Sequence, residues 1–168
     1  RCVTRGVDPR QNPEAMFACA RDPETRFVIS NTTEAGIVYS EQPRAPGAWP
    51  RSFPAQVAAL LFERFQALGG QPGTELIFLP CELIEANGAT LRDIVLHHAR
   101  DWALPQNFSD WVTQHNHFLN TLVDRIVPAT TGENAQGEHP MDYEIVTPTG
   151  TDFNIDRSFQ IVQEGFAE

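Results

Sequence analysis

Two short stretches of this chain contain the side chains best suited to binding a polar ligand. The first follows an apolar pair, Val28 and Ile29, and offers hydroxyls, an amide and a carboxylate from Ser30, Asn31, Thr32, Thr33 and Glu34. Open α/β sheets present ligand sites where a buried strand opens into a polar loop. A plain turn closed by Asn and Thr side chains explains these residues equally well.

The second stretch repeats that pattern after another apolar run. Residues 81–88 include Cys81, Glu82 and Asn87, and they end at a glycine. Farther along, Asp124 and Arg125 lie beside an apolar stripe just before a proline. That pair is either a local ion pair at a helix end or a polar pair that meets a ligand there.

Other chemistries find little support in the residue types and spacings. His97 and His98 are adjacent, and His115 and His117 are two apart, so neither pair has ligand spacing and no metal site is expected. His98 falls on an apolar helix face, which predicts a position in the core or at its rim. The sequence contains no GxSxG, GxGxxG or GxxxxGK[ST] motif.

Composition narrows the class of protein further. The 168 residues are enough for one domain, and the net charge is −10 with all twelve basic residues being arginine. No basic stripe is present, which argues against nucleic-acid binding. No apolar run is long enough for a membrane span, and residues 1–5 lack the apolar stretch of a signal peptide. Three scattered cysteines without a CxxC predict reduced thiols in a cytoplasmic protein.

Periodicity predicts alternating strands and helices. The predicted strands cover residues 3–7, 27–29 and 75–79, and the predicted helices start at Pro13, at Pro54, before Leu91 and after Asn107, the last ending at Pro128. Such alternation is typical of a parallel sheet with helices on its faces. The two polar stretches should therefore lie side by side at one edge of the sheet.

The acidic end of the chain has a different character. Residues 129–140 read as a linker, and residues 143–146 and 153–155 are compatible with a β-hairpin. We therefore divide the chain into residues 1–128 and an acidic tail, residues 129–168. A partial sheet leaves one strand unpaired, which predicts a homo-oligomer through that edge or a tail that covers it.

Five stretches together give a resemblance to a known family. Residues 30–37, 60–65, 79–88, 102–105 and 120–128 occur in this order in the tagaturonate reductases, also called altronate oxidoreductases, of the polyol (mannitol) dehydrogenase superfamily. The resemblance covers residues 3–128 and implies the second half of a Rossmann domain. Residues 129–168 do not resemble the family's continuation.

The resemblance implies NAD as cofactor and a reversible tagaturonate–altronate reaction of hexuronate breakdown. It implies that residues 30–34, with Cys81 and Glu82, line the cofactor, and that Asp124 and Arg125 meet the sugar acid. Related polyol dehydrogenases place an oxyanion-binding Asn in the second loop. A gapless match puts Leu83 near that position, and Asn87 is the nearest amide and our candidate for the catalytic role.

Two departures from the family pattern predict that the chain is inactive alone. The family's glycine-rich loop lies upstream of residue 1, and its catalytic lysine has no counterpart because this sequence contains no lysine. A non-catalytic interaction domain built on the same scaffold is the alternative. A third interpretation is a different enzyme that uses Glu34, Glu82 or Asp124 as an acid or base.

Overall fold

Helices and strands largely alternate along the described residues, and both strand pairs found there are parallel. The computed structural model describes residues 5–33 and 35–122. The helices are α1 (Pro13–Arg21), α2 (Phe53–Leu68), α3 (Asn87–Asp101) and α4 (Gln106–His115), and the strands are β1 (Phe27–Ser30), β2 (Ile77–Pro80) and β3 (His117–Phe118). The sheet order is β1-β2-β3, which confirms the predicted α/β class with a partial parallel sheet.

The helix boundaries follow local sequence signals. Asn12 Oδ1 accepts a hydrogen bond from Ala15 N at 3.1 Å, and Pro13 occupies the first turn, so α1 begins where predicted. Helix α2 ends at Gly69, whose left-handed φ of 66° suits glycine. None of the described helices is both long and apolar enough to cross a bilayer.

The two faces of the sheet differ in their covering. Register pairs Phe27 with Ile77 and Phe78 with Phe118, so alternate residues share a face. One face packs against the helices. The core between this face and the helices includes Leu61, Leu76, Phe78, Leu91, Val95, Phe108, Val112 and Phe118. On the other face, the side chains of Phe27 and Ile29 are 60% and 70% exposed.

The helix predicted from Asn107 to Pro128 is wrong over residues 116–122, and its last part, residues 123–128, lies outside the described residues. Asn116 is extended at φ −84° and ψ 143°, and its Oδ1 accepts a hydrogen bond from Leu76 N at 2.9 Å. The chain then pairs with β2, and the Phe118 ring stacks on that of Phe78 at 4.5 Å. The helical spacing of apolar residues continued by coincidence into a short strand whose partner lies 40 residues earlier.

Smaller differences concern element ends. Helix α4 starts at Gln106 behind Pro105, so Asn107 is not its cap. Strand β2 starts at Ile77 and includes Pro80. Residues 5–7 are not in a strand. The predictions for residues 1–4, for Glu34, for Asp124 and Arg125, and for the hairpin in the acidic tail lie outside the described residues.

A single arginine fastens the amino edge of the sheet, meaning the loops that lead into β1 and β2. Arg64 of α2 is fully buried and donates to the carbonyls of Ala20 at 2.9 Å, Asp22 at 2.8 Å, Thr25 at 2.9 Å and Thr74 at 2.5 Å. Burial lowers the pKa of this guanidinium. These bonds give the carbonyls of Ala20, Thr25 and Thr74 a donor near the interior, while Asp22 O also accepts from Thr25 N at 3.1 Å.

Candidate functional site

The two polar stretches meet at the carboxyl edge of the sheet, meaning the loops that leave β1, β2 and β3. The carboxylate of Glu82 joins them. Its Oε2 accepts from Ser30 Oγ at 3.0 Å, and its Oε1 accepts from Thr32 N at 2.9 Å and from Thr32 Oγ1 at 2.8 Å. The predicted side-by-side placement of the loops is confirmed.

Burial divides the predicted cofactor-binding residues into two groups. Ser30 is 8% exposed and Glu82 is 2% exposed, so these side chains face the interior. Asn31, Thr32 and Thr33 are all exposed, but the hydroxyl of Thr32 donates to Glu82. In this loop, the exposed side chains of Asn31 and Thr33 make no hydrogen bond within the described residues and can touch a ligand, whereas Ser30, Thr32 and Glu82 hold the loop through their hydrogen bonds.

Asn87 is bound on all sides by this chain. It is fully buried, and its Nδ2 lies 3.0 Å from each of the carbonyl oxygens of Pro80, Glu82 and Thr121. Its Oδ1 accepts from Gly88 N at 2.8 Å and Thr121 N at 3.0 Å. The catalytic role stays a prediction, and the geometry favours a structural one because both amide hydrogens already have acceptors.

The first turn of α3 is closed against the end of β3. A Cβ on Gly88 would lie 2.4 Å from Leu119 O, so only glycine permits this approach. Asn120 Oδ1 accepts from Ala89 N at 3.0 Å and caps the turn from the loop after β3. Free N–H groups at a helix start bind anions, but here side-chain amides of the chain itself occupy them.

Cys81 and Leu83 complete the described part of this edge. Cys81 is half-buried, and burial, with the nearby Glu82, raises the pKa of its thiol, which therefore stays protonated at neutral pH. Leu83 is 47% exposed and presents an apolar side chain to solvent. Among residues 5–33 and 35–122, no group of three or more His, Cys, Asp or Glu side chains could hold a metal ion.

The other titratable cluster lies away from this edge, near the end of α3. His98 is fully buried, as predicted, and neither ring nitrogen has a hydrogen-bond partner within the part of the chain that is described. Desolvation lowers the pKa of His98. Tyr39 covers the histidines, and its hydroxyl donates to Asp101 at 2.5 Å, which raises the pKa of Tyr39 to about 12.

Sequence reasoning missed the part that the third loop plays. Thr121 and Asn120 hold Asn87 and the start of α3, respectively, yet the periodicity had placed them inside a helix. The signal that could have located them is the polar pair itself. Two small polar residues after an apolar residue repeat the pattern that marks the other two strand ends.

Comparison with known proteins gives one family. A family profile described as the mannitol dehydrogenase Rossmann domain matches residues 2–168. This match includes residues 129–168, so our expectation that the acidic tail lies outside the family is wrong.

Three similar relatives are altronate oxidoreductases. The protein of Yersinia enterocolitica is 47% identical over 127 residues, which are 76% of this chain and 26% of the relative. Those of Bacillus subtilis and Halalkalibacterium halodurans are 44% and 41% identical, over 75% and 79% of this chain and 26% of each relative. The chain thus spans about a quarter of the length of these relatives.

Two solved structures share the fold. One is the Pseudomonas fluorescens mannitol 2-dehydrogenase in ternary complex with NAD and D-mannitol, with a TM-score of 0.52 and 24% identity over 72% of this chain and 26% of that chain. The other is a D-sorbitol dehydrogenase in substrate-free form, with a TM-score of 0.54 and 24% identity over 73% of this chain and 27% of that one. At this identity the likeness concerns the fold alone.

Proposed function

The chain belongs to the mannitol dehydrogenase family, and from that premise we propose that it supplies one wall of the NAD site in an oxidoreductase that interconverts tagaturonate and altronate. The observation that carries the proposal is the meeting of the two polar loops at one edge of a parallel sheet, joined through Glu82. The similarity to altronate oxidoreductases supports the choice of substrate.

The described residues fit the nicotinamide end of the cofactor better than its phosphates. Asn31 and Thr33 are exposed donors and acceptors that can bind a carboxamide, and Leu83 offers an apolar surface for a flat ring. The start of α3 cannot hold a pyrophosphate because Asn87 and Asn120 occupy its N–H groups. When bound, NAD supplies or accepts the hydride of the reaction.

For the sugar acid we propose Asp124 and Arg125. A guanidinium pairs with a carboxylate through two parallel hydrogen bonds, and an aspartate accepts hydrogen bonds from sugar hydroxyls. Both residues follow the described part of the third loop, which ends at Leu122. A cytoplasmic location is part of this proposal, and the unpaired thiols of Cys19 and Cys81 support it.

We expect the 168-residue chain by itself to lack activity. The reaction needs a base that takes the proton of the alcohol, and the resemblance assigns that role to a lysine which this sequence does not contain. The assay is NADH-dependent reduction of tagaturonate by the purified chain, followed at the absorbance of NADH. Turnover above the rate without protein would contradict this expectation.

Ligand binding tests the proposed site directly. NADH fluorescence titrated with the wild-type chain should show saturable enhancement, and Thr33→Val should weaken the affinity about fivefold because one hydrogen bond is lost. Thr113→Val, at an exposed position on α4, is the matched control and should bind as the wild type does. Absence of saturable binding by the wild type, or equal loss in both variants, would reject the site.

A non-catalytic interaction domain is the second candidate, and one observation favours it. Strand β1 is an edge strand of the described sheet and exposes the apolar side chains of Phe27 and Ile29. Such an edge can pair with a second copy of the chain. Sedimentation that shows a dimer, together with no NADH binding, would support this candidate, whereas NADH binding by a monomer would reject it.

A further inference from the structure

We propose that Glu82 is a positioning residue: its buried carboxylate fixes the loop that presents Asn31 and Thr33, and it makes no contact with the ligand itself. The inference rests on the proposed function only in naming NADH as the ligand of that loop. Glu82 had been expected to line the cofactor. At 2% exposure, its side chain has no surface to offer a bound molecule.

The hydrogen bonds of Glu82 explain why one loop depends on the other. A carboxylate can only accept, and burying it without partners is costly. In the described residues no arginine forms an ion pair with Glu82, and its three donors all come from Ser30 and Thr32. The burial of Glu82 therefore requires the loop in this one conformation, and the hydrogen bonds to Glu82 hold the loop there.

The position of Thr32 is fixed from a second side as well. A Cβ on Gly36 would lie 1.8 Å from Thr32 Oγ1, so the threonine side chain rests against the glycine. Gly36 N also donates to Thr33 O at 2.7 Å, which closes a tight turn. Because Glu82 and Gly36 hold Thr32 from two sides, the exposed residues next to it, Asn31 and Thr33, are held in one arrangement.

The main chain of Ser30 and of residue 81 already links the same two loops. Cys81 N donates to Ser30 O at 2.7 Å, which continues the β1–β2 ladder by one step. Beyond that step the side chain of Glu82 is the connection, since it reaches two residues farther, to Thr32. Removing it should loosen residues 31–33 without opening the sheet.

Amide hydrogen exchange on the full chain tests this without any ligand. The variants are Glu82→Ala, Glu82→Gln and the control Glu85→Ala, which removes an exposed carboxylate from the same loop. The Thr32 amide should exchange at least about tenfold faster in the alanine variant, since its acceptor is gone. Glutamine keeps an oxygen for Thr32 and an N–H for Ser30 Oγ, so E82Q should restore protection, and E85A should match the wild type.

The amide of Val95, in the core of α3, reports global opening in the same samples. If it accelerates in E82A as much as the Thr32 amide does, the effect is on the whole fold and the proposal is overturned. Unchanged exchange at Thr32 in E82A, or no rescue in E82Q, overturns it too. Should E82A fail to fold, Ser30→Ala and Thr32→Val, which remove single hydroxyl donors, must each raise exchange at the Thr32 amide severalfold. If either variant leaves that exchange unchanged, the proposal falls.

NADH titration of the same variants separates this inference from the proposed function. Affinity should fall about tenfold in E82A and return in E82Q, with E85A unchanged. A wild-type chain that does not bind NADH would defeat the proposed function, while the exchange data would still decide the role of Glu82. A loosened loop with unchanged NADH affinity would overturn the positioning role.

Discussion

The two edges of the sheet are each organised by one buried charged side chain, but the partners differ in kind. At the amino edge, Arg64 donates to four main-chain carbonyls. At the carboxyl edge, Glu82 accepts from the hydroxyls of Ser30 and Thr32 and from the Thr32 amide, and the neighbouring Asn31 and Thr33 are exposed. Arg64 holds the loops of the amino edge through their main-chain carbonyls, whereas Glu82 holds the loop of the carboxyl edge mainly through its side-chain hydroxyls.

This difference separates stability from ligand binding. The bonds of Arg64 hold main-chain carbonyls only, so they orient no side chain of these loops toward a ligand. Loops fixed through Ser30 and Thr32 hold the neighbouring amide of Asn31 and hydroxyl of Thr33 at the surface. We therefore expect substitutions at the amino edge to change unfolding more than binding, and the opposite at the loop that Glu82 holds.

Replacement of Arg64 should give the largest effect. Arg64→Met keeps the approximate length of the side chain but removes the donor to the carbonyls of Ala20, Thr25 and Thr74 in a largely buried place. Unsatisfied buried groups cost about 1–3 kcal/mol each, and some will recover water, so we expect a loss of about 3–5 kcal/mol in the free energy of unfolding. Urea denaturation measures it.

Arg100→Met is the control for that experiment. Arg100 is exposed on α3, and its replacement should change the free energy of unfolding by less than about 0.5 kcal/mol. If R64M and R100M have the same urea midpoint, the amino edge does not depend on Arg64 and the comparison of the edges fails.

Gly88→Ala should disrupt the close contact between the start of α3 and the chain just after β3, next to the carboxyl edge. The new methyl group would overlap Leu119 O, and the helix or the end of β3 must shift. Overpacking of this kind costs about 1–3 kcal/mol. Thermal unfolding followed by circular dichroism measures it, and Gly6→Ala, at an open position, is the control. A midpoint equal to that of the wild type would show that α3 and β3 do not pack as closely as described.

A pH series examines the helical layer apart from both edges. Burial depresses the pKa of His98 in the fold, with the charge of Asp101 opposing this shift and that of His97 adding to it. Its contribution to stability is therefore complete above the unfolded pKa of about 6.5 and declines as the pH falls below that value, by at most about 1.4 kcal/mol per pH unit.

His98→Phe should flatten that decline, because phenylalanine binds no proton. The measurement is urea denaturation of both proteins between neutral pH and moderately acid pH. Equal slopes for wild type and H98F would show that the acid sensitivity arises elsewhere, for example from paired carboxylates at the surface.

The surface ion pair at the amino edge should have the smallest effect. Arg21 donates to Glu63 Oε1 at 2.6 Å and also pairs with Glu14, and these hydrogen bonds raise the pKa of Arg21. The pair is open to solvent and salt, so Arg21→Gln should change the thermal midpoint slightly at low salt and not at all at high salt. A large, salt-independent loss would mean that the amino edge does not depend on Arg64 alone.

The sequence predicted the fold well where the cause was local. Asn12 and Pro13 mark the start of α1, and the glycine pair after Leu68 marks the end of α2. The alternation of elements predicted the parallel sheet and the meeting of two loops at its edge. Strand β3 was missed because its two residues form a strand only by pairing with β2, and nothing within residues 115–120 announces a partner 40 residues away.

The sequence predicted the location of the candidate site more accurately than the part that each residue plays in it. The polar types of residues 30–33 and 81–87 located the edge, since both follow strands of one parallel sheet and such strands end at the same edge. Whether a side chain points inward depends on a partner far away in the sequence. Ser30 and Glu82 are about 50 residues apart, and Asn87 and Thr121 are 34 apart. Composition alone could not tell the residues that hold the loop from those exposed to a ligand.

The carbonyl contacts of Arg64 have a consequence for how this chain can vary. Every residue supplies the same carbonyl, so the side chains at Ala20, Asp22, Thr25 and Thr74 can be exchanged without removing an acceptor. Saturation mutagenesis scored by folding should therefore find position 64 intolerant and the acceptor positions tolerant wherever the new side chain fits. Five residues form this hydrogen-bond cluster, but only position 64 requires a particular side chain.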